Sequence, residues 1–291
     1  MVATNGVHLT MPGATAPSMS FALQEAVAAD AARQAASVVL TEFARTERPT
    51  GPVATRPTAA VDKAADEVLA RVLLGAFPEY GWLCEESGGR TSGDRARRWV
   101  VDPLDGTREF VLGIPEFAVS VALTDGNELV VAALLNPIEG RLYRASLNSG
   151  TWRDAERMTV SATASLAGAS VLASRSEVER GEWGSMRGSM RVRAMGSVAY
   201  KMARVASGQD DATFTLVPKH TWDVAAGILL VREAGGIVTL PDGGDIPLNA
   251  PGNLLPGLVA SNGIIHDELL ATIALKSAPE TALQRPGFAA S

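Results

Sequence analysis

The chain has 291 residues, 46% hydrophobic and 20% charged, a composition ordinary for a soluble globular protein and long enough for one large domain or two intimate ones. Its 32 acidic residues against 26 basic ones give a net charge of −6, which repels polyanions and argues against a nucleic-acid polymer as a main partner. The single cysteine, Cys84, excludes an intrachain disulfide, and no apolar run reaches the roughly 20 residues that cross a bilayer, so no membrane is expected and the expected location is the cytoplasm.

Residues 1–19 lack a basic start and an apolar run, so they are expected to form a flexible tail rather than a secretory signal. Apolar residues at helical spacing predict a long helix over Phe21 to Arg45. Thr46 to Thr58 carries three prolines and a glycine and predicts a loop. A second helix is expected from Asp62 to Phe77, ended by Pro78. Trp99-Val100-Val101 reads as a buried strand that stops at Asp102-Pro103, because proline cannot donate to a ladder. Phe117 to Leu123, Glu128 to Leu135 and Arg141 to Ala145 follow as strands of an antiparallel meander.

Beyond about Ser170, strands are expected at 170–174, 211–217, 236–240 and 257–261, with helices at 197–207, 221–234 and 263–275. Strands and helices mix without a clean βαβ rhythm, so the fold class is α+β. The division expected is an N-terminal half over 20–150, a C-terminal half over 151–275, and a second flexible tail over 276–291.

The informative stretch is Trp99 to Phe110, WVVDPLDGTREF. A buried strand ends abruptly and exposes two carboxylates three residues apart, followed by Gly106 and Thr107. Glycine allows a sharp turn and brings backbone N–H groups close to a bound anion; the threonine hydroxyl can orient a water. Paired carboxylates repel unless protonated or neutralised, and oxygen-only ligands suit Mg²⁺. The competing reading is a simple turn, since Asp, Pro and Gly are standard turn residues.

Three segments together resemble the inositol monophosphatase superfamily of metal-dependent phosphatases: Glu85-Glu86-Ser87, then Asp102 to Thr107, then Trp222-Asp223-Val224-Ala225-Ala226-Gly227. Glu233-Ala234-Gly235-Gly236 matches the family's glycine-terminated helix, so the resemblance spans about residues 20–275. It implies a layered αβαβα sandwich of the inositol monophosphatase and fructose-1,6-bisphosphatase type. It further implies that Glu85, Asp102, Asp105, Asp223 and the Leu104 carbonyl hold two or three Mg²⁺ ions. Thr107 and Glu85 would activate the attacking water, with Asp62 supporting the site from upstream. Asp105, Gly106, Thr107, Ser197, Lys201 and Asp223 would bind substrate. Ala54-Thr55-Arg56-Pro57-Thr58 departs from the family pattern before Asp62. Homodimers and lithium inhibition are also implied.

Within the superfamily, Arg108-Glu109-Phe110 is similar to the CysQ-type 3′(2′),5′-bisphosphate nucleotidase branch. Position 216 is leucine where inositol monophosphatases place a hydroxyl-binding glutamate. The expected activity is therefore removal of the 3′-phosphate from 3′-phosphoadenosine 5′-phosphate-like nucleotides. The alternatives are an inositol- or sugar-phosphate phosphatase of the same superfamily and, last, a non-catalytic metal-binding scaffold. Other hydrolase classes fit worse. Asp102 to Asp105 is one residue too long for a haloacid-dehalogenase Asp-x-Asp, no P-loop occurs, and His8, His220 and His266 are too few and scattered for a zinc hydrolase. Cys84 has no evident histidine partner and reads as a buried thiol.

Overall fold

A computed structural model of the protein describes residues 20–45, 58–89, 96–186 and 188–277. The expected tail over 1–19, nearly all of the expected 46–58 loop and residues 278–291 of the second expected tail lie outside those residues, while residues 276–277 are not tail but the end of the last helix. Helix α1 (Ala22–Arg45) buries a face of Ala28, Ala31, Ala32, Ala35 and Val39, small side chains that let its neighbours approach closely. Helix α2 (Ala59–Ala76) packs beside it and begins three residues earlier than its apolar pattern indicates. The Thr58 carbonyl accepts from the Val61 and Asp62 N–H groups, which starts the first turn. No helix of the described residues is long and apolar enough to cross a membrane.

The next strands are β1 (Gly81–Cys84), β2 (Gly88–Gly89) and β3 (Arg97–Asp105), followed by a short helix, α3 (Thr107–Leu112). Then come β4 (Ala118–Asp125), β5 (Glu128–Asn136), β6 (Arg141–Ser146), β7 (Thr151–Arg153) and β8 (Glu156–Met158). They form one eight-stranded sheet, ordered β2-β1-β3-β4-β5-β6-β7-β8, antiparallel except where β1 runs parallel to β3. The expected meander is its centre. Two sequence expectations need correction. The sheet runs on to Met158, past the division placed at residue 150, because β7 and β8 pair onto β6. Strand β3 does not stop at Pro103 but continues to Asp105: the register with β4 shifts between Asp102 and Asp105, and at such an irregularity the missing proline N–H leaves no ladder bond broken.

The remaining elements are β9 (Ser170–Ser174), α4 (Arg175–Glu179), β10 (Arg191–Met195), α5 (Val198–Ala206), β11 (Ala212–Thr215), β12 (Lys219–His220) and α6 (Thr221–Glu233). The chain closes with β13 (Ile237–Thr239), β14 (Leu254–Leu255), β15 (Leu258–Ser261) and α7 (His266–Ser277). A five-stranded mixed sheet runs β10-β9-β11-β15-β13. Helix α6 is buried from Val224 to Val231 without a break, as a helix covered on all sides must be.

Three apolar clusters fix the layering. One joins α1 and α2 to the eight-stranded sheet, a second joins that sheet through α5 and α6 to the five-stranded one, and a third lies between the smaller sheet and α7. The architecture is the layered αβαβα sandwich expected. Its consequence for chemistry is that the tip of β3 and the N-termini of α5 and α6 meet at one place between the layers.

Candidate active site

Asp102 and Asp105 stand where β3 loses register. Asp102 is buried, and its Oδ1 accepts from the Leu104 N–H at 2.9 Å. Gly106 then turns the chain with φ +99°, and a Cβ there would lie 2.8 Å from the Glu116 carbonyl oxygen. Only glycine satisfies both the left-handed backbone and that close approach. Thr107 opens α3, and its hydroxyl donates to the Leu104 carbonyl at 3.1 Å.

Asp105 Oδ2 receives two donors from the start of α5: the Ser197 hydroxyl at 2.6 Å and the Ala199 N–H at 2.7 Å. Ser197 also accepts from the Tyr200 N–H at 3.0 Å, capping α5, and holds φ at +52°. That is a strained conformation for a non-glycine residue, persisting because its surroundings determine it. Asp223 sits in the first turn of α6, where the helix dipole favours a carboxylate, and its Oδ2 accepts from the His220 N–H at 3.0 Å.

These groups line one polar cavity of about 240 Å³. Of the residues singled out from sequence, Glu85, Asp102, Leu104, Asp105, Gly106, Thr107, Ser197, Lys201 and Asp223 all line it. Asp62 does not: it is buried on α2, near enough to Glu86 and Glu85 for both carboxylates to act on it. Sequence reasoning missed Lys219, Ser174 and Ser176, which complete the wall. Lys219 lies four residues before Asp223, so its closeness to the Trp-Asp segment was the available signal.

The electrostatics record an excess of negative charge. Burial, then Asp105, Glu85 and Asp223, push the Asp102 carboxyl well above the usual carboxylate range. Burial also raises Asp105, against the Ser197 and Ala199 donors and the ammonium groups of Lys219 and Lys201. Asp223 is pushed up to about 7 by burial and by Asp105, and Asp62 to about 7 by burial and by Glu86. Glu85 lies at the exposed rim and is raised by the surrounding protein, then by Asp105 and Glu86. Burial pushes the Lys201 ammonium down to about 8, against the pull of Glu177 and with the help of Lys219.

Among the described residues no three His, Cys, Asp or Glu side chains form a ready-made metal cage. The donor set nevertheless fits a hard cation. It is all oxygen, it includes a main-chain carbonyl, and its carboxylates raise one another's proton affinity in the way a divalent ion relieves. Cys84 is buried beside Asp66 and its thiol is pushed up to about 12, which keeps it out of nucleophilic chemistry.

The segment that indicated a nucleotidase has other work in the fold. Arg108 lines the cavity but pairs with Glu179 at 2.5 Å, Glu109 is buried against Gly196, and Phe110 packs edge-on to Phe117 with ring centroids 5.3 Å apart. Leu216 is 42% exposed and is not part of the cavity wall.

Comparison with known proteins places the chain in a family. A model of the inositol monophosphatase family matches residues 22–278. The inositol-1-monophosphatase of Rhizobium meliloti is 39% identical over 197 residues, covering 65% of this chain and 74% of the relative. The Nus factor SuhB of Xylella fastidiosa is 36% identical over 195 residues, 64% of this chain and 70% of the relative. The solved inositol monophosphatase from Anabaena superposes with a TM-score of 0.77 at 28% identity, covering 90% of this chain and 99% of that structure. The narrower CysQ-type assignment draws no support from these relatives.

Proposed function

The chain belongs to the inositol monophosphatase family, and from that premise we propose that it is a Mg²⁺-dependent phosphatase of small phosphomonoesters, with inositol monophosphates and similar polyol phosphates as its first substrate class. The observation that carries the chemistry is the meeting of Glu85, Asp102, Asp105, Asp223 and the Leu104 carbonyl around one cavity that also holds two lysines. The substrate class rests on the inositol-1-monophosphatase relative, since the geometry of the cavity favours no polyol over another.

Those oxygens would hold the two or three Mg²⁺ ions proposed, which when bound would supply positive charge to stabilise the phosphate and the departing alkoxide. The protein's own residues do the rest. The Gly106 and Thr107 N–H groups, on the cavity wall, would bind the phosphate. The Thr107 hydroxyl spends its proton on the Leu104 carbonyl, so its oxygen is left to accept from an attacking water. Glu85, at the rim, takes that water's proton as its oxygen bonds to phosphorus; the ester P–O bond breaks and the proton passes to the alkoxide. Asp62, buried on α2 outside the cavity, would support the site from upstream. Ser197 acts on Asp105 and keeps its free oxygen aimed into the cavity.

A second reading, the bisphosphate nucleotide substrate, is favoured by one observation: Lys201 and Lys219 both line the cavity, more cationic charge than one phosphate beside bound cations requires. Rates with inositol 1-phosphate, fructose 1,6-bisphosphate and 3′-phosphoadenosine 5′-phosphate under identical Mg²⁺ separate the two. A clear preference for inositol 1-phosphate is expected. A preference for the bisphosphate nucleotide would replace the polyol reading, and activity untouched by a chelator would end both.

A further inference from the structure

Glu116 lies outside the cavity and belongs to none of the three sequence segments that define the site. It nevertheless touches both loops that aim Asp105. Its main-chain carbonyl and the adjacent Phe117 Cα press on Gly106, leaving no room for a Cβ there. Its side-chain Oε2 accepts from the Gly196 N–H at 2.8 Å, one residue before Ser197. The same oxygen meets the Arg175 guanidinium at 2.5 Å, and Arg175 in turn lies 3.6 Å from Glu109. Glu109 closes the arrangement from the other side: its carboxyl carbon sits 2.2 Å from where a Cβ on Gly196 would be. All three charged side chains are at least three-quarters covered.

We infer that Glu116, braced by Arg175, is a positioning residue that sets the aim of Asp105 by locking the Gly106 turn to the Gly196-Ser197 corner. The physical reason lies in Ser197. Its backbone is held at φ +52°, and both donors to Asp105 Oδ2 come from this corner. If the Gly196 N–H loses its acceptor, the corner relaxes toward an unstrained conformation. The Ser197 hydroxyl and the Ala199 N–H then leave their places, and Asp105 is free to rotate. Partners one shell out from a ligand typically change metal affinity by about 10–100-fold.

This inference rests on the proposed metal role of Asp105, and the test separates the two. Mg²⁺ binding is measured calorimetrically on the full chain without substrate, and half-saturating Mg²⁺ is measured in the phosphatase assay. The proteins compared are wild type, Glu116→Ala, Glu116→Gln and Asp125→Asn, the last removing the β4 carboxylate that pairs with Arg97 at the far end of β3. Glu116→Ala should weaken Mg²⁺ binding about tenfold or more. Glu116→Gln keeps an acceptor for Gly196 but not the charge for Arg175, so it should fall between Glu116→Ala and wild type. Asp125→Asn should match wild type. If Glu116→Ala does not fold, Glu116→Gln decides alone, and a midpoint equal to wild type overturns the inference. An equal shift in Asp125→Asn would also overturn it, by reducing the effect to general destabilisation. Wild type without Mg²⁺ dependence would instead defeat the metal reading itself.

Discussion

The two ends of β3 treat charge in opposite ways. At its start Arg97 faces Asp125 across the antiparallel register, 2.9 Å apart, and lies over the rings of Phe21 and Tyr80. Opposite charges cancel there, and a cross-strand pair of that kind contributes to the sheet. At its other end Asp102 and Asp105 face Glu85 and Asp223, and the register breaks. The middle of the strand, Trp99 to Val101, is apolar and fully covered in the ordinary way. A balanced pair at one end is architecture. An unbalanced cluster at the other is a place where something positive is needed, and the fold tolerates its cost only because the surrounding layers are extensive.

The strongest way to break that comparison is to remove one charge from the unbalanced end. Asp105→Asn keeps an oxygen for the Ser197 and Ala199 donors but loses the charge. Turnover should fall by more than the roughly 10–100-fold that loss of an outer-shell partner costs, with the fold intact by circular dichroism. Metal-free Asp105→Asn should also melt higher than metal-free wild type, because one contributor to the repulsion is gone. Wild-type activity in this variant would refute the assignment.

A smaller effect appears in pH dependence. Asp62 and Asp223 are held near 7 in the folded chain against an ordinary value of 3.8. Between about pH 4 and 7 the folded state therefore keeps protons that the unfolded state has lost. Stability of the metal-free protein should fall as pH rises through that window and level off above it, the reverse of a salt-bridged carboxylate. Mg²⁺ must displace the Asp223 proton, so its stabilisation should be largest near pH 8 and shrink toward pH 5. At a hundredfold excess over Kd it is worth about 2.7 kcal/mol. Thermal melts with and without Mg²⁺ at the two pH values check this; equal shifts at both would show that the carboxylates are not where the ion binds.

The same contrast explains what was legible in the sequence. Apolar periodicity carries the helices and the meander, because each buries a continuous face: β4 and β5 are covered along nearly their whole length. Motif residues carry the cavity, because its chemistry needs those oxygens. Less legible was whatever depends on neighbours far along the chain. Strand β10 alternates Arg191, Val192 and Arg193 at a sheet edge, and its charge masked it. The extension of β3 through Pro103 depends on how β4 pairs with it. Glu116 and Arg175 look like surface residues in sequence and become a brace only when α3, α4 and the Gly196 corner are brought together. The Arg108-Glu109-Phe110 marker is hard to read for the same reason: Arg108 and Glu109 line the cavity, yet the three side chains also serve packing and ion pairs.

The smallest expected effect belongs to the balanced end. The Arg97 and Asp125 side chains are each 28% exposed, and Arg97 also donates to the Tyr80 hydroxyl at 3.2 Å. Water screens such a pair, so a double-mutant cycle with Arg97→Met and Asp125→Asn should return a coupling of only about 0.2–1 kcal/mol in urea denaturation. Methionine retains much of the contact that Arg97 makes with the Phe21 and Tyr80 rings, which keeps packing loss out of the cycle. Activity at saturating Mg²⁺ should stay at the wild-type level in both single variants, because the disturbance lies at the opposite end of a strand whose middle is tightly held. A coupling of several kcal/mol, or a matching loss of turnover, would mean that the two ends are not independent and that charge at residue 97 reaches the carboxylates at 102 and 105 through the strand itself.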